Sequence, residues 1–136
     1  MSPEYEGVDR RQHKRIRVNF IASYEIREPW GLRANIGNKE IYTRMYDLSQ
    51  GGTAISSLYD IPLSSVLLIK FVLINLEAYK TLNRSSSLTV EGRVVYNNVI
   101  ERNERRLGIC FREMDDGDRE FISGFVKRQS AYNEIS

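Results

Sequence analysis

The chain is short of the groups that most enzymes and metal sites need. It contains one cysteine, Cys110, and one histidine, His13. A single cysteine excludes an intramolecular disulfide and fits a reducing compartment. Set between Ile109 and Phe111, Cys110 reads as a small core residue rather than a reactive thiol. A single histidine excludes a histidine pair, and its place within a basic run makes His13 a solvated linker residue. No nucleophile–base pair stands out, and no glycine-rich phosphate loop precedes a helix, so an enzyme is not expected. Long apolar runs are missing too. The longest, Val66 to Ile74, is interrupted by Lys70 and is too short to span a bilayer. The N-terminal residues Ser2, Pro3, Glu4 and Glu6 do not form the apolar centre of a secretory signal. The expectation is a cytoplasmic protein with no membrane insertion. An excess of one charge is lacking as well: 20 basic and 18 acidic residues leave a net +2. The chain as a whole is therefore not a general polyanion binder.

What remains is an ordinary soluble composition. With 136 residues, 41% hydrophobic and 28% charged, the chain suits one domain with an adequate core. Residues 1–9 are small, polar and acidic and predict a disordered tail. Val18, Phe20, Ala22, Tyr24 and Ile26 alternate with other residues, the period of a strand with one buried face. Glu28-Pro29-Trp30-Gly31 breaks it, with Trp30 as a loop anchor, and 31–38 reads as a loop. Ile41 to Tyr46, Thr53 to Ser56, Val66 to Leu76, Leu88 to Tyr96 and Leu107 to Phe111 read as further strands. Asn83 to Ser87 and Asn97 to Arg105 read as polar connections. Phe121, Ile122, Phe125 and Val126 then form one helical stripe. Asp115 or Asp116 can cap that helix, Asp118 joins them near its start, and Lys127 and Arg128 suit its end. About six short strands followed by a helix argue for an antiparallel barrel or closed sheet with one docked helix.

Two short motifs carry chemistry. Between Arg10 and Arg17 stand five basic residues and no acid, among them Arg10, Arg11 and Arg15. Arginine presents five donors in a planar fork, which grips phosphate in paired hydrogen bonds and stacks on a purine. Each charge-assisted bond contributes roughly 1.5–3 kcal/mol. Three arginines can therefore supply much of the roughly 8 kcal/mol that micromolar binding requires. The second motif is Asp47-Leu48-Ser49-Gln50-Gly51-Gly52. A carboxylate can accept the two N–H groups of a guanine edge, a serine hydroxyl can donate or accept, and Gly51 and Gly52 allow close approach to the backbone. Taken alone, the first motif reads more simply as a solvated arm, and the second as a plain β-turn.

Their order and separation, with an alternating strand between them, resemble the PilZ domain family. Its signature is an Arg-x-x-x-Arg followed by Asp/Asn-x-Ser-x-x-Gly. The likeness runs from about Arg10 to Gln129. Val90 to Tyr96 looks like the family's fifth-strand region, and Leu107-Gly108-Ile109-Cys110-Phe111 looks like its closing strand. The resemblance implies an all-β fold, a six-stranded antiparallel β-barrel of split-barrel type with a C-terminal helix. The implied domain covers 10–130, flanked by tails at 1–9 and 131–136. It implies a cyclic di-GMP receptor or adaptor without cofactor, metal or catalysis, which orders its N-terminal arm on binding and signals to an unidentified protein partner. On that resemblance Arg11 and Arg15 grip phosphates and stack on guanine, while Asp47, Ser49 and Gly52 match the guanine-edge element, with Gly51 beside them as a further candidate. Arg10 favours an intercalated ligand dimer, hence two ligands per chain. Tyr96 falls near a ligand-facing aromatic of some members. The chain departs from many members in its longer 28–38 connection. A PilZ adaptor without nucleotide binding, or a small nucleic-acid-binding barrel, are the alternatives.

Overall fold

The computed structural model describes residues 15–36, 39–75 and 84–135. Arg10, Arg11, His13 and the expected 1–9 tail lie outside the described residues. The elements in chain order are β1 (Ile16–Glu28), α1 (Trp30–Ile36), β2 (Ile41–Leu48), β3 (Gly52–Ser57), β4 (Val66–Asn75), β5 (Arg84–Glu101), β6 (Glu104–Phe111) and α2 (Asp116–Ile135). The strands close into one barrel in the order β1-β2-β3-β6-β5-β4, every neighbouring pair antiparallel. This is the expected six-stranded barrel with a C-terminal helix.

Strand periodicity builds the core. Alternate residues of β1 (Ala22, Tyr24 and Ile26) are buried and meet Met45, Ile55, Leu67, Ile69, Val90 and Leu107 from the other strands. Each such aliphatic side chain, fully buried, stabilises the fold by about 1.5–3 kcal/mol. Tyr24 is buried with its hydroxyl 2.9 Å from that of Ser57, and burial raises the phenol's pKa.

The β1–β4 ladder runs from Ala22–Phe71 to Glu28–Val66. Beyond its end α2 takes over: Phe125 meets Phe20 with ring centroids 5.9 Å apart, and Ile122 and Val126 are buried beside it. Asp115 caps α2, its carboxylate accepting the Gly117 amide at 3.1 Å and its carbonyl accepting the Arg119 amide at 3.0 Å. No helix among the described residues is long and apolar enough to cross a membrane.

Several local expectations change. Residues 31–36, expected as loop, belong to the short helix α1, started by a hydrogen bond from the Arg33 amide to the Pro29 carbonyl. The helix is held by Leu32 and Ile36, an i, i+4 apolar pair packed against the core. Trp30 is no anchor: it is exposed, with Arg33 over its ring. Residues 84–87 are strand, because Ser85, Ser86 and Ser87 continue the ladder opposite Ile74, Leu73 and Val72. The expected tip at 97–105 shrinks to Arg102 and Asn103, since pairing persists to Glu101–Glu104. Arg102 takes the left-handed conformation that so tight a turn requires, with φ 49°. The helix α2 runs on to Ile135, taking in most of the expected 131–136 tail and leaving Lys127 and Arg128 mid-helix. Cys110 is exposed, not core: the period of two that buries Ile109 and Phe111 turns it outward.

Candidate functional site

Asp47 lies near the end of β2, opposite Arg17 of β1 and Ala54 of β3. Met45 and Leu48 are both fully buried, an odd spacing that simple alternation forbids. The β2–β3 ladder shifts register between Met45 and Asp47 and so permits it. The irregularity leaves the Asp47 carboxylate at the barrel surface, with its side chain still only 11% exposed.

Two arginines share that carboxylate. Arg15 Nη1 donates to Oδ1 at 3.0 Å, and Arg106 Nη2 donates to Oδ2 at 3.1 Å. Such part-buried, charge-assisted bonds are about twice as strong as neutral ones. Arg15 is delivered from the start of β1, Arg106 from β6. Arg106 has two further supports. Its Nε donates to the Tyr96 hydroxyl at 3.3 Å, and its guanidinium lies 5.0 Å from the Tyr46 ring centroid. Burial works against the Arg106 charge, but the bonds to Tyr96 and Asp47 outweigh it and hold its pKa above the ordinary arginine value. Tyr96 stands across from Gly108 on β6. A Cβ on Gly108 would lie 2.1 Å from the Tyr96 ring, so only glycine lets that ring settle there.

The Ser49–Gly52 turn is a separate construction. The buried Ser49 hydroxyl accepts the amides of Gly51 and Gly52, each at 3.1 Å, and the Ser49 amide donates to the Gly52 carbonyl at 2.8 Å. The Gly51 carbonyl accepts the Phe111 amide at 2.9 Å, tying the turn to β6. Thr53 Oγ1 donates to the Asp47 carbonyl at 2.6 Å. At Gly52 a Cβ would stand 2.2 Å from the Ile109 carbonyl oxygen, so glycine is required by the close passage of β6.

Tyr46 extends the network. Its hydroxyl donates to Glu104 Oε2 at 2.7 Å, and Ser56 donates to the same oxygen at 2.8 Å. Burial and then the Glu104 carboxylate push the Tyr46 phenol up; the Tyr46 and then the Ser56 hydroxyl hold the Glu104 carboxyl below the usual range.

These residues border a cavity of about 570 Å³ lined by Arg15, Ile16, Arg17, Val18, Tyr46, Asp47 and Arg106. Three cations and one carboxylate on its wall suit a ligand with anionic groups and a planar polar edge. A second cleft of about 600 Å³ lies on the other side of Glu104, among Ile21, Tyr42, Ser56, Leu58 and Tyr59. No group of three metal-ligating side chains occurs among the described residues.

Of the residues expected at the site, the structure brings Arg15 and Asp47 together. It places Tyr96 against them through Arg106. Ser49, Gly51 and Gly52 form the adjoining turn, with the Ser49 hydroxyl directed to backbone amides. Arg17, Tyr46, Glu104 and Arg106 were not expected. The one sequence sign of Arg106 is its place two residues before Gly108, on the same side of β6.

Among solved structures, the chain resembles the inhibitor of motility MotI/DgrA of Bacillus subtilis, with a TM-score of 0.68 and 19% identity over 96% of this chain and 57% of that one. It resembles the PilZ domain of YcgR from Escherichia coli, solved with c-di-GMP, with a TM-score of 0.59 and 14% identity over 94% of this chain and 99% of that one. It also resembles the MrkH–c-di-GMP complex of K. pneumonia, with a TM-score of 0.59 and 17% identity over 94% of this chain and 56% of that one. The chain thus spans little more than half of MotI/DgrA and MrkH. No curated protein matches it by sequence. The PilZ domain model matches residues 9–128, and on that match the chain belongs to the PilZ domain family.

Proposed function

We propose that the protein is a cytoplasmic receptor for cyclic di-GMP, not an enzyme, and that it passes ligand occupancy to a partner protein. The carrying observation is the convergence of Arg15, Asp47 and Arg106 on one cavity wall, next to the Ser49–Gly52 turn. The ligand offers two phosphates and two guanine edges, and the cavity offers cations and a carboxylate of matching chemistry. The YcgR and MrkH structures that share the fold were solved with this ligand. In this reading Asp47 accepts the N1–H and N2–H groups of one guanine. Both its oxygens already accept from guanidinium groups and its side chain is only 11% exposed, so in this reading the ligand takes the place of one of them. Arg15 is the one released, because among the described residues its guanidinium pairs with Asp47 alone, whereas Arg106 is also held by Tyr96, and it passes to phosphate beside Arg11 and Arg10. Drawing that arm over the barrel alters the surface a partner meets. Arg10 sets the stoichiometry at two ligands per chain, as an intercalated pair; no cofactor takes part.

Calorimetric titration with cyclic di-GMP, with GTP and cyclic di-AMP as controls, tests the reading. Saturable binding of cyclic di-GMP alone is expected. No saturable heat at tens of micromolar ligand overturns it, and a one-to-one endpoint overturns the role of Arg10. A second reading, an adaptor without nucleotide, draws on the same ion pairs: Asp47 already satisfied by two arginines is also a stable structural cluster. The titration separates the two.

A further inference from the structure

Arg106 is fixed on three sides. One of its edges is turned to Asp47 and Tyr96, and its guanidinium carbon lies over the Tyr46 ring, 5.0 Å from the centroid. Its side chain is nonetheless 37% exposed and forms part of the cavity wall with Arg15 and Arg17. Two of its five N–H donors, on Nε and Nη2, are engaged on the protein, which fixes the plane of the guanidinium and leaves its open face and its Nη1 end toward the cavity. A guanidinium already backed by an aromatic ring is a flat, pre-oriented cation, and ordering it costs little further side-chain entropy on binding. Gly108 contributes by absence: a side chain there would push out the Tyr96 ring whose hydroxyl holds the guanidinium edge.

We propose that Arg106 is a ligand-contacting residue: its open face is the platform on which one purine base of the bound dinucleotide stacks, giving the order Tyr46, Arg106, base. The assignment rests on the cyclic di-GMP reading and adds a residue of β6 to the wall formed by Arg15 and Arg17 at the start of the barrel and Asp47 of β2. Tyr46 and Tyr96 act through Arg106 and are positioning residues. The stack is indifferent to phosphate and depends on the plane of the guanidinium, not only on its charge.

The test compares Arg106→Lys and Arg106→Met with the unaltered chain by calorimetry with cyclic di-GMP, with thermal melting to confirm folding. Lysine keeps the charge and a bond to Asp47 but has no plane to stack. Arg106→Lys is expected to weaken binding about tenfold, and Arg106→Met at least as much, from the usual strength of cation–π contact. Tyr96→Phe, which frees one edge of the guanidinium and keeps the ring on Gly108, is expected to weaken it about threefold, the loss of one weak hydrogen bond. An Arg106→Lys chain that binds like the unaltered one while Arg106→Met fails shows that only charge matters and overturns the platform. Equal binding by all three overturns any contact. If Arg106→Met does not fold, the lysine and phenylalanine variants decide by the same criterion. Absence of binding by the unaltered chain overturns the receptor reading itself, a different failure from an indifferent lysine variant.

Discussion

Two clefts of nearly equal volume, about 570 and 600 Å³, share the outer face of this barrel and differ in almost everything else. The first is walled by Arg15, Arg17, Asp47 and Arg106, most of whose charges are paired and partly withdrawn from water. The second exposes Ile21, Tyr42 and Leu58 among serine and tyrosine hydroxyls. Tyr46 joins them: its ring supports Arg106 on one side, and its hydroxyl holds Glu104, which borders the other cleft. Volume alone assigns neither cleft a ligand. What separates them is three arginines and a carboxylate on one wall against a single arginine, Arg44, and Glu104 on the other, because an anionic, edge-bearing ligand gains from forked donors and a carboxylate, not from apolar area.

The sharpest break in that comparison is Asp47→Ala. It removes both guanine-edge acceptors, each a charge-assisted bond of about 1.5–3 kcal/mol, so cyclic di-GMP affinity should fall by more than about a hundredfold in calorimetry. It also leaves Arg15 and Arg106 without their shared partner, so the melting temperature should fall with it.

Ser49→Ala should act on the fold of the charged cleft's rim. The Gly51 and Gly52 amides lose their acceptor, at a cost of about 1–3 kcal/mol. A drop of roughly 5 °C or more in thermal melting is expected. An unchanged melting temperature would assign the Ser49 hydroxyl to ligand alone.

Tyr46→Phe probes the junction. The Tyr46 hydroxyl is the largest cause of the lowered Glu104 pKa, so the Glu104 carboxyl should titrate higher in carbon-detected NMR. A carboxyl whose folded pKa is lowered adds stability above its unfolded value, near 4.3, and loses it as pH falls through the folded value. The variant should therefore be less stable than the parent at neutral pH, with the gap closing in acid. Tyr46 itself, raised by burial first, contributes below its ordinary value of about 10 and loses that as pH rises through its raised folded value. The phenylalanine variant should not show that alkaline loss. Cyclic di-GMP affinity should change by less than about threefold, since the ring behind Arg106 is kept.

The smallest effect belongs to the second cleft. Leu58→Ser removes an exposed apolar group that lines the second cleft and not the one walled by Arg15, Asp47 and Arg106. Affinity for cyclic di-GMP should stay within about twofold and melting within about 2 °C, as for surface substitutions in general. A large loss of affinity would merge the two clefts into one site.

Much of this was legible in the residues. The alternation of Ala22, Tyr24 and Ile26 predicted β1, and the stripe of Ile122, Phe125 and Val126 predicted α2, because burial on one face imposes a period. The basic motif and Asp47 were legible together as a resemblance in order and spacing, but not that Arg15 and Asp47 bond to each other, at 3.0 Å. Other points were not legible. Polar residues at 84–87 and 97–101 read as loop, but ladder pairing with β4 and β6 extends through them at no demand on their side chains. Cys110 sits in an apolar run yet faces out, since a strand's direction is set by its partners' register. Arg106 has no local mark beyond its spacing to Gly108, because its neighbours Asp47 and Tyr46 lie some sixty positions away in sequence and Tyr96 on the adjoining strand.

The sequence by itself therefore determined the class of fold, six strands and a helix, and the pairing of a basic arm with an Asp-Ser-Gly turn. Periodicity and turn chemistry are local, and local patterns can be read along the chain. Only the tertiary structure decided that Asp47 turns out of the core at a register shift, that two arginines divide its oxygens, and that Tyr46 and Tyr96 hold Arg106 at the cavity. Those outcomes depend on strand register around a closed barrel, which joins residues distant in sequence by geometry that no local pattern encodes.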